Sequence, residues 1–284
     1  MTRIKELPVT FGNHEVMLQG KILFPAESST DSPVPGAVLC HGFGANQKAV
    51  ESSARIITNQ GVATFIFDFR GHGSSGGAVD GRMADDIVDA WDILKQFPEI
   101  DKSRMGIIGH SLGAMSAIMA AEKVENPRAL VALSCPPQVD PEIDNEMYNG
   151  IPADFGQWGS KYNKIMEFPR QGAFPWLKGI SAPLSRLWMY LFRYRVRVDL
   201  KKFFEITKQI KMAEALGKLD HCSKLFVFCE GDNITPYNKS VLVYESACEP
   251  RTKILAKGGF HTTPLLRGNL RSQWTNWVVA TLTN

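Results

Sequence analysis

The five residues Gly109-His110-Ser111-Leu112-Gly113 decide how this chain folds, because they have the G-x-S-x-G form of a sharp strand-to-helix turn. Residues 104–108 before them predict a short buried strand, and residues 114–121, rich in Ala and Met, predict a helix. Such a turn holds its middle residue in strained backbone geometry with the side chain projecting, and the flanking glycines remove Cβ atoms that would clash. The stretch therefore predicts a projecting Ser111 at the positive end of a helix dipole.

Buried-strand and helix patterns alternate on both sides of this turn. Two apolar segments within residues 3–24, separated by Gly12-Asn13, predict a hairpin. Further strands are expected at 36–40, 62–67, 129–134, 224–229 and 252–256, and further helices at 47–60, 83–97, 236–248 and 267–281. Strands that are apolar on both faces suit a sheet covered on both sides. The alternation predicts an α/β fold with a mostly parallel central sheet flanked by helices.

The helix at 83–97 carries many acidic side chains near its start. Ile87, Trp91 and Leu94 mark its apolar face. The aspartates at 85, 86, 89 and 92 are expected to face solvent, where they complement the helix dipole.

Residues 136–217 interrupt the α/β rhythm. They contain no convincing buried strand and are rich in Pro and aromatic residues, which makes them too apolar for a disordered linker. Long insertions of this kind usually act as lids. The sequence thus predicts a core domain of residues 1–135 and 218–284, with an inserted, mainly helical lid (cap) of residues 136–217. Within it, residues 186–197 are interpreted as a lid helix with arginines facing solvent, in preference to a helix that seeks a lipid surface.

Composition excludes several functional classes. The chain has 284 residues, 44% hydrophobic and 21% charged, and a net charge of +3, which gives no case for nucleic-acid binding. We expect no signal peptide and no stable membrane insertion, because the chain lacks an apolar leader and long apolar runs. The five cysteines are scattered, which predicts reduced, buried thiols in a cytoplasmic protein. No cofactor and no metal site are expected.

A serine nucleophile needs a base, and the base needs an orienting carboxylate. After Ser111, Asp232 lies just past the strand at 224–229, in Glu230-Gly231-Asp232-Asn233. His261 lies in the loop after the strand at 252–256, in Gly259-Phe260-His261-Thr262. Both candidates therefore follow strands, as Ser111 does.

These residues resemble the serine hydrolases of the α/β-hydrolase superfamily, in which Ser, Asp/Glu and His occur in this chain order. His41-Gly42-Phe43-Gly44 is similar to the family's H-G-x-x segment at the oxyanion hole, and residues 68–75, Asp-Phe-Arg-Gly-His-Gly-Ser-Ser, are similar to its D-x-R-G-x-G-x-S segment. The resemblance covers roughly residues 14–135 and 220–284. One departure is Cys229, which stands where the family commonly has Gly.

The resemblance implies a catalytic triad of Ser111, His261 and Asp232 and an oxyanion hole formed by the backbone N–H groups of Phe43 and Leu112. It implies a carboxylesterase-like enzyme that cleaves a small-molecule ester through an acyl-enzyme, in a layout similar to bacterial acyl and cinnamoyl esterases. A hydrophobic or aromatic acyl group is expected from the apolar residues Met147, Tyr148, Trp158 and Trp176 of the insertion.

Several alternatives stay open from the sequence. The base could be His41, His72 or His110, which flank the expected site, whereas His14 and His221 lie in unsuitable places. The acid could be Asp140 or Glu230. The same triad serves thioesterases, amidases and C–C bond hydrolases, and a non-catalytic binding protein on the same fold is a further alternative. A homodimer is also left open.

Overall fold

Eight strands form a single sheet in the computed structural model, which is described for residues 4–12, 15–137, 166–169 and 195–284. The spatial order of these strands is β1-β2-β4-β3-β5-β6-β9-β10. Their bounds are β1 Lys5–Gly12, β2 Met17–Phe24, β3 Val34–Cys40, β4 Ala63–Asp68, β5 Ile100–His110, β6 Ala129–Leu133, β9 Ser223–Cys229 and β10 Arg251–Ala256. A separate antiparallel pair consists of β7, Met166–Pro169, and β8, Arg195–Val198.

The sheet is mostly parallel, as predicted. β1 and β2 form the expected antiparallel hairpin, and β2 pairs antiparallel with β4. From β4 to β10 every neighbouring pair is parallel, so the carboxyl ends of six strands meet at one edge of the sheet. Loops that leave this edge can bring residues from distant parts of the chain together.

Helices cover both faces of the sheet. Their bounds are α1 Lys48–Thr58, α2 Met83–Lys95, α3 Leu112–Ala121, α4 Leu200–Thr207, α5 Met212–Gly217, α6 Tyr237–Glu245, α7 Thr263–Leu266 and α8 Gly268–Thr283. Side chains of α1, α7 and α8 pack in the core on one face, and those of α2, α3, α5 and α6 pack in the core on the other. The predicted α/β fold is confirmed.

Helix α3 carries Ser111 at its N-terminal end and is buried almost all round. It packs on β5 and β6 and between α2 and α5. A helix enclosed in this way needs no polar face, which explains why Ser116, whose hydroxyl donates to Leu112 O, is its only polar side chain. Its many alanines allow the neighbouring elements to approach closely, so Ser111 lies at the start of a helix that is almost entirely buried.

The expectation that Asp86 faces solvent is wrong. Asp86 is fully buried, and its Oδ1 accepts hydrogen bonds from Arg70 Nε at 2.8 Å and Arg70 Nη2 at 2.6 Å. Arg70 also pairs with Asp80 at 3.2 Å. The partner lies in the loop before the helix, so the periodicity of the helix alone could not reveal this buried ion pair.

The insertion differs from its prediction in the part that is described. It contains strands β7 and β8, and Val196 and Val198 of β8 are buried in the core. The expected helix is therefore wrong for residues 195–197, while residues 186–194 lie outside the described part of the chain. Helix α5, with Met212 and Leu216, packs against α3 in the main core. The bounds of the insertion, 136 and 217, stay predictions.

All five cysteines are free thiols, as predicted. Cys40, Cys135, Cys222 and Cys229 are buried, and Cys248 is half-buried. Across the described ranges, no helix has the length and apolar character required to span a membrane.

Candidate active site

Ser111 lies between β5 and α3 in the strained geometry that the turn requires. Its φ is 57° and its ψ is −121°, a conformation that non-glycine residues rarely adopt. Its backbone N–H donates to Leu133 O at 2.9 Å, which ties the turn to β6. A Cβ at Gly109 would strike the backbone of Gly113. The fold thus holds Ser111 in a strained turn at the start of α3, with a half-buried side chain.

Asp232 and His261 are joined by a hydrogen bond. Asp232 Oδ2 accepts from His261 Nδ1 at 2.9 Å, and both side chains are nearly buried. Asp232 follows β9 and His261 follows β10, so neighbouring parallel strands deliver the pair to the same edge of the sheet. The bond fixes which ring nitrogen of His261 carries the proton and leaves Nε2 as an acceptor.

Asp232 is surrounded by donors. Its Oδ1 accepts the backbone N–H groups of Ile234 at 3.0 Å and Thr235 at 2.9 Å, and its Oδ2 also accepts the Thr235 hydroxyl at 2.7 Å. Burial raises the pKa of Asp232, but the hydrogen bonds from His261 and Thr235 outweigh it and lower the pKa to about 2. Asp232 is therefore ionised at neutral pH.

The backbone of His261 is held by two side chains at the ends of other strands, His110 at the end of β5 and Ser134 just after β6. His110 Nε2 and Ser134 Oγ both donate to His261 O at 2.9 Å. The rings of His110 and His261 lie 4.9 Å apart, centroid to centroid. Because His110 directly precedes Ser111, these contacts place the His261 loop beside the serine. Among the described residues no hydrogen bond joins Ser111 to His261, and such bonds are often long until substrate binds.

The loop between β3 and α1 (residues 41–47, the β3–α1 loop) lies against the serine. A Cβ built on Gly42 would be 3.1 Å from Ser111 Cβ and 3.0 Å from His110 Nδ1. In the described part of the chain, the backbone N–H groups of Phe43 and Leu112 donate to no acceptor. The sequence predicted these two donors, and the fold places one in the adjoining loop and the other at the start of α3.

The alternative residues are placed less suitably. Glu230 is exposed and accepts from Gly258 N at 3.2 Å, away from His261. His221 is exposed before β9, at the opposite edge of the sheet. His14, Asp140 and the pocket candidates Met147, Tyr148, Trp158 and Trp176 lie outside the described residues. His41 and His72 are buried and use Nε2 to accept backbone N–H groups.

Sequence reasoning missed Thr235 and Ser134, which hold the acid and the histidine loop. The spacing Asp232-x-x-Thr235 is a recognisable signal, because a carboxylate often accepts backbone N–H groups two and three residues later. Ser134 has a positive φ of 46°, and no sequence pattern marks it. In the described ranges no cluster of three or more His, Cys, Asp or Glu side chains suits a metal ion.

Comparison with known proteins places the chain in a family. Residues 32–265 match the family model described as "Serine aminopeptidase, S33" (Hydrolase_4). The chain is 28% identical over 225 residues, covering 75% of it and 77% of the relative, to an uncharacterized 31.7 kDa protein of the traX-finO intergenic region of Escherichia coli. It is 25% identical over 256 residues, covering 84% of it and 82% of the relative, to a protein named "Thiohydrolase" from Eupenicillium brefeldianum.

A solved structure supports the same fold. The hypothetical protein PA2218 of Pseudomonas aeruginosa superimposes with a TM-score of 0.75 at 16% identity, over 98% of this chain and 94% of that one. The match to the family model extends over most of the chain, from β3 to α7. The chain therefore belongs to the serine aminopeptidase S33 (Hydrolase_4) family of α/β hydrolases, and it is a hydrolase.

Proposed function

We propose that this hydrolase cleaves carboxylic esters through an acyl-enzyme formed on Ser111, with His261 as the base and Asp232 as the orienting carboxylate. The observation that carries the proposal is the 2.9 Å bond between His261 Nδ1 and Asp232 Oδ2, in a loop held beside Ser111. It leaves the second nitrogen of His261 ready to accept a proton.

The reaction follows from this arrangement. Ser111 Oγ attacks the ester carbonyl carbon while His261 Nε2 takes the hydroxyl proton. The tetrahedral intermediate collapses, the C–O bond to the leaving group breaks, and His261 gives its proton to the departing alkoxide. A water molecule then attacks the acyl-enzyme with His261 again as base, which releases the acid and restores Ser111.

The negative charge of the tetrahedral oxygen would be held by the N–H groups of Phe43 and Leu112. Leu112 begins α3, so its N–H also carries the positive end of that helix dipole. One such donor typically contributes about 3 kcal/mol to lowering the barrier. The Asp232 carboxylate, ionised because its pKa is about 2, stabilises the imidazolium of His261.

A hydrophobic acyl group is supported by the apolar side chains around the site. Phe43, Ile234 and Phe260 are 49%, 63% and 73% exposed, and each lies in a loop that carries a candidate site residue. Large apolar side chains exposed around a polar site are typical of a surface that a ligand covers. We propose that the insertion, residues 136–217, acts as a lid over this rim, apart from β8 and α5, which pack in the core. The cytoplasmic location and the homodimer stay predictions.

Thioester hydrolysis is the second candidate, because one relative of similar length is named a thiohydrolase. Ser111, His261 and Asp232 would act in the same way on either acyl compound. A thiolate has a pKa near 8.5 and leaves with less help from His261 than an alkoxide needs. Amide and C–C bond cleavage remain further alternatives on the same residues.

The test is a paired assay of an oxygen ester and a thioester that carry the same acyl group. The proposal predicts an initial burst with an activated ester and higher kcat/KM for the oxygen ester. Ser111→Ala should abolish turnover of both, while the matched surface variant Ser103→Ala, in the exposed first half of β5 far from the site, should not change it. Full turnover by Ser111→Ala would contradict the proposal, and preference for the thioester would replace the ester by the second candidate.

A further inference from the structure

Two loops at the carboxyl edge of the sheet are joined by two hydrogen bonds, each from a backbone N–H of one loop to a histidine of the other. They are the β3–α1 loop and the loop between β4 and α2 (residues 69–82, the β4–α2 loop). His72 Nε2, in the β4–α2 loop, accepts the backbone N–H of Gly44 at 3.1 Å. His41 Nε2, in the β3–α1 loop, accepts the backbone N–H of Phe69 at 3.1 Å. Each loop therefore supplies one histidine and one backbone donor to the other.

Both histidines are set up as acceptors. His41 Nδ1 lies 2.8 Å from Gly42 O, and His72 Nδ1 lies 3.1 Å from Arg70 O. A carbonyl oxygen can only accept, so each Nδ1 carries the proton and each Nε2 keeps its lone pair. Burial, together with the neighbouring His41, lowers the pKa of His72 to about 3. His72 is thus a neutral acceptor at physiological pH, and its remaining proton, on Nδ1, faces Arg70 O.

The bond from Gly44 acts on the donor of the proposed oxyanion hole. Gly44 N belongs to the same planar peptide unit as the Phe43 carbonyl. Fixing the direction of the Gly44 N–H therefore fixes the plane of the peptide bond between Phe43 and Gly44. The next anchor along the loop is Asp68 Oδ1, which accepts Gln47 N at 2.7 Å. Both anchors follow Phe43 in the chain. The peptide unit that carries the Phe43 N–H is held by its own carbonyl, because Gly42 O accepts Ala45 N at 3.1 Å and lies 2.8 Å from His41 Nδ1. Together these contacts keep the Phe43 N–H in one direction, and the Gly42 contact places the turn against Ser111.

The β4–α2 loop is itself firmly held. Arg70 ties its start to buried Asp80 and Asp86, as described above. Arg197 of strand β8 donates from Nη2 to Ser75 O at 2.6 Å and from its backbone to Gly71 O at 2.9 Å. An acceptor in such a well-held loop can hold the neighbouring β3–α1 loop in place with little reorganisation.

We propose that His72 is a positioning residue, which acts through Gly44 to hold the Phe43 N–H in the direction that binds the tetrahedral oxygen. The role requires an acceptor at the Nε2 position and does not require a base. This inference rests on the proposed function, because it assigns His72 to the oxyanion hole of that reaction.

The test compares two amide side chains at position 72. The amide group of Gln reaches roughly where Nε2 lies, whereas that of Asn ends near Nδ1 and falls short of Gly44. His72→Asn should lower kcat on the order of 10- to 100-fold with KM changed less than about threefold, since a small misplacement is costly in the transition state alone. His72→Gln should recover most of kcat. His221→Leu, at the opposite edge, is the matched control and should match the wild type.

A tetrahedral analogue separates positioning from general folding. A trifluoromethyl ketone of the same acyl group should bind His72→Asn more weakly by about the factor lost in kcat, while a non-reactive methyl ketone should bind both variants equally. Thermal melting of both variants checks that they fold. If His72→Asn does not fold, Gln47→Pro is the substitute, because it removes the N–H that donates to Asp68 Oδ1, the second anchor of the β3–α1 loop. Proline fits position 47, where φ is −52°. Wild-type kcat in a folded His72→Asn, or an equal loss in His72→Gln and His72→Asn, overturns the role of His72. Where His72→Asn does not fold, wild-type kcat in Gln47→Pro overturns it.

Failure of this inference and failure of the proposed function give different results. Ser111→Ala is assayed beside the His72 variants. If Ser111→Ala is inactive and His72→Asn has full kcat, only the positioning role is wrong. If Ser111→Ala is fully active, the proposed function is wrong, and the positioning role fails with it.

Discussion

His110 Nε2 lies 2.9 Å from the backbone oxygen of His261, and this contact joins the residue before the serine to the residue proposed as its base. The chain distance between them is 151 residues. The bond links the loop after β10 to the turn after β5, and Ser134 supports the same oxygen from the loop after β6. Three strand ends thus converge on one carbonyl group.

We expect His110→Ala to lower kcat/KM on the order of 10-fold, because the His261 loop loses one of its two anchors. Losing the buried hydrogen bond should also lower the free energy of unfolding by about 1 to 3 kcal/mol. His110→Gln keeps an N–H donor and serves as the matched control, which should retain more of both quantities. Steady-state kinetics and urea unfolding measure the two effects. Equal losses in the Ala and Gln variants would contradict an anchoring role.

Thr235→Val removes the hydroxyl that donates to Asp232 Oδ2 and keeps the shape of the side chain. The carboxylate then loses a charge-assisted hydrogen bond, so the free energy of unfolding should fall by about 1 to 3 kcal/mol. The pKa of Asp232 should rise from about 2, because fewer donors favour its ionised form. NMR titration of the carboxyl carbon measures the pKa. Thr235→Ser keeps the hydroxyl, and a pKa shift as large in Ser as in Val would refute this assignment.

Stability should depend on pH through the buried histidines. Burial, with a neighbouring histidine, lowers the pKa of His110 from 6.5 to about 4 and that of His72 to about 3. Below pH 6.5 these two histidines bind protons in the unfolded chain but stay neutral in the folded chain. The free energy of unfolding therefore falls as the pH drops from 6.5 towards 4. Each histidine contributes a slope of at most about 1.4 kcal/mol per pH unit in this window.

The difference between wild type and His110→Gln isolates one of these slopes, because all other titrating groups are shared. Urea unfolding at pH 7, 6, 5 and 4.5 should show that the variant becomes relatively more stable as pH falls. A difference that stays constant over this range would mean that His110 is charged in the folded protein or is no more buried there than in the unfolded chain.

The apolar rim predicts a change in acyl-chain preference. Phe260 is 73% exposed beside His261, so Phe260→Ser should leave the melting temperature nearly unchanged. It should lower kcat/KM several-fold more for esters of long acyl chains than for acetate esters. Each methylene group of the acyl chain that Phe260 no longer covers should lose about 0.8 kcal/mol of binding free energy. A chain-length series of esters measures this. Leu242→Ser is the control, because Leu242 is also largely exposed, on α6 and outside the site loops. An equal effect on acetyl and long-chain esters would rule out acyl contact by Phe260.

The sequence was sufficient to predict two kinds of feature: elements marked by a periodic apolar pattern, and site residues that directly follow a predicted strand. The parallel sheet follows from apolar strands that alternate with helices, and Asp232 and His261 were found because each follows such a strand. Their hydrogen bond agrees with the proposed roles.

Other features depend on partners that no local pattern identifies. Asp86 occupies a polar position of its helix, yet it is buried because Arg70 from the preceding loop neutralises it. Strand β8 has the alternation Arg195-Val196-Arg197-Val198, but its first three residues were interpreted as the end of the aromatic and basic helix predicted for residues 186–197. The hydrogen bonds of Ser134, His41 and His72 are a further case. Each is made by a single side chain to a backbone group of a distant loop, so it arises only in the folded chain.

The central claim is that Ser111 is a nucleophile activated by its surroundings. Reaction of the intact protein with a fluorophosphonate ester, followed by intact-mass analysis and peptide mapping, tests it most directly. The account predicts one phosphonyl group per chain on Ser111, none on Ser111→Ala, and labelling slowed on the order of 10³-fold or more in His261→Ala. An unlabelled wild type, or a label on another residue that persists in Ser111→Ala, would contradict the account.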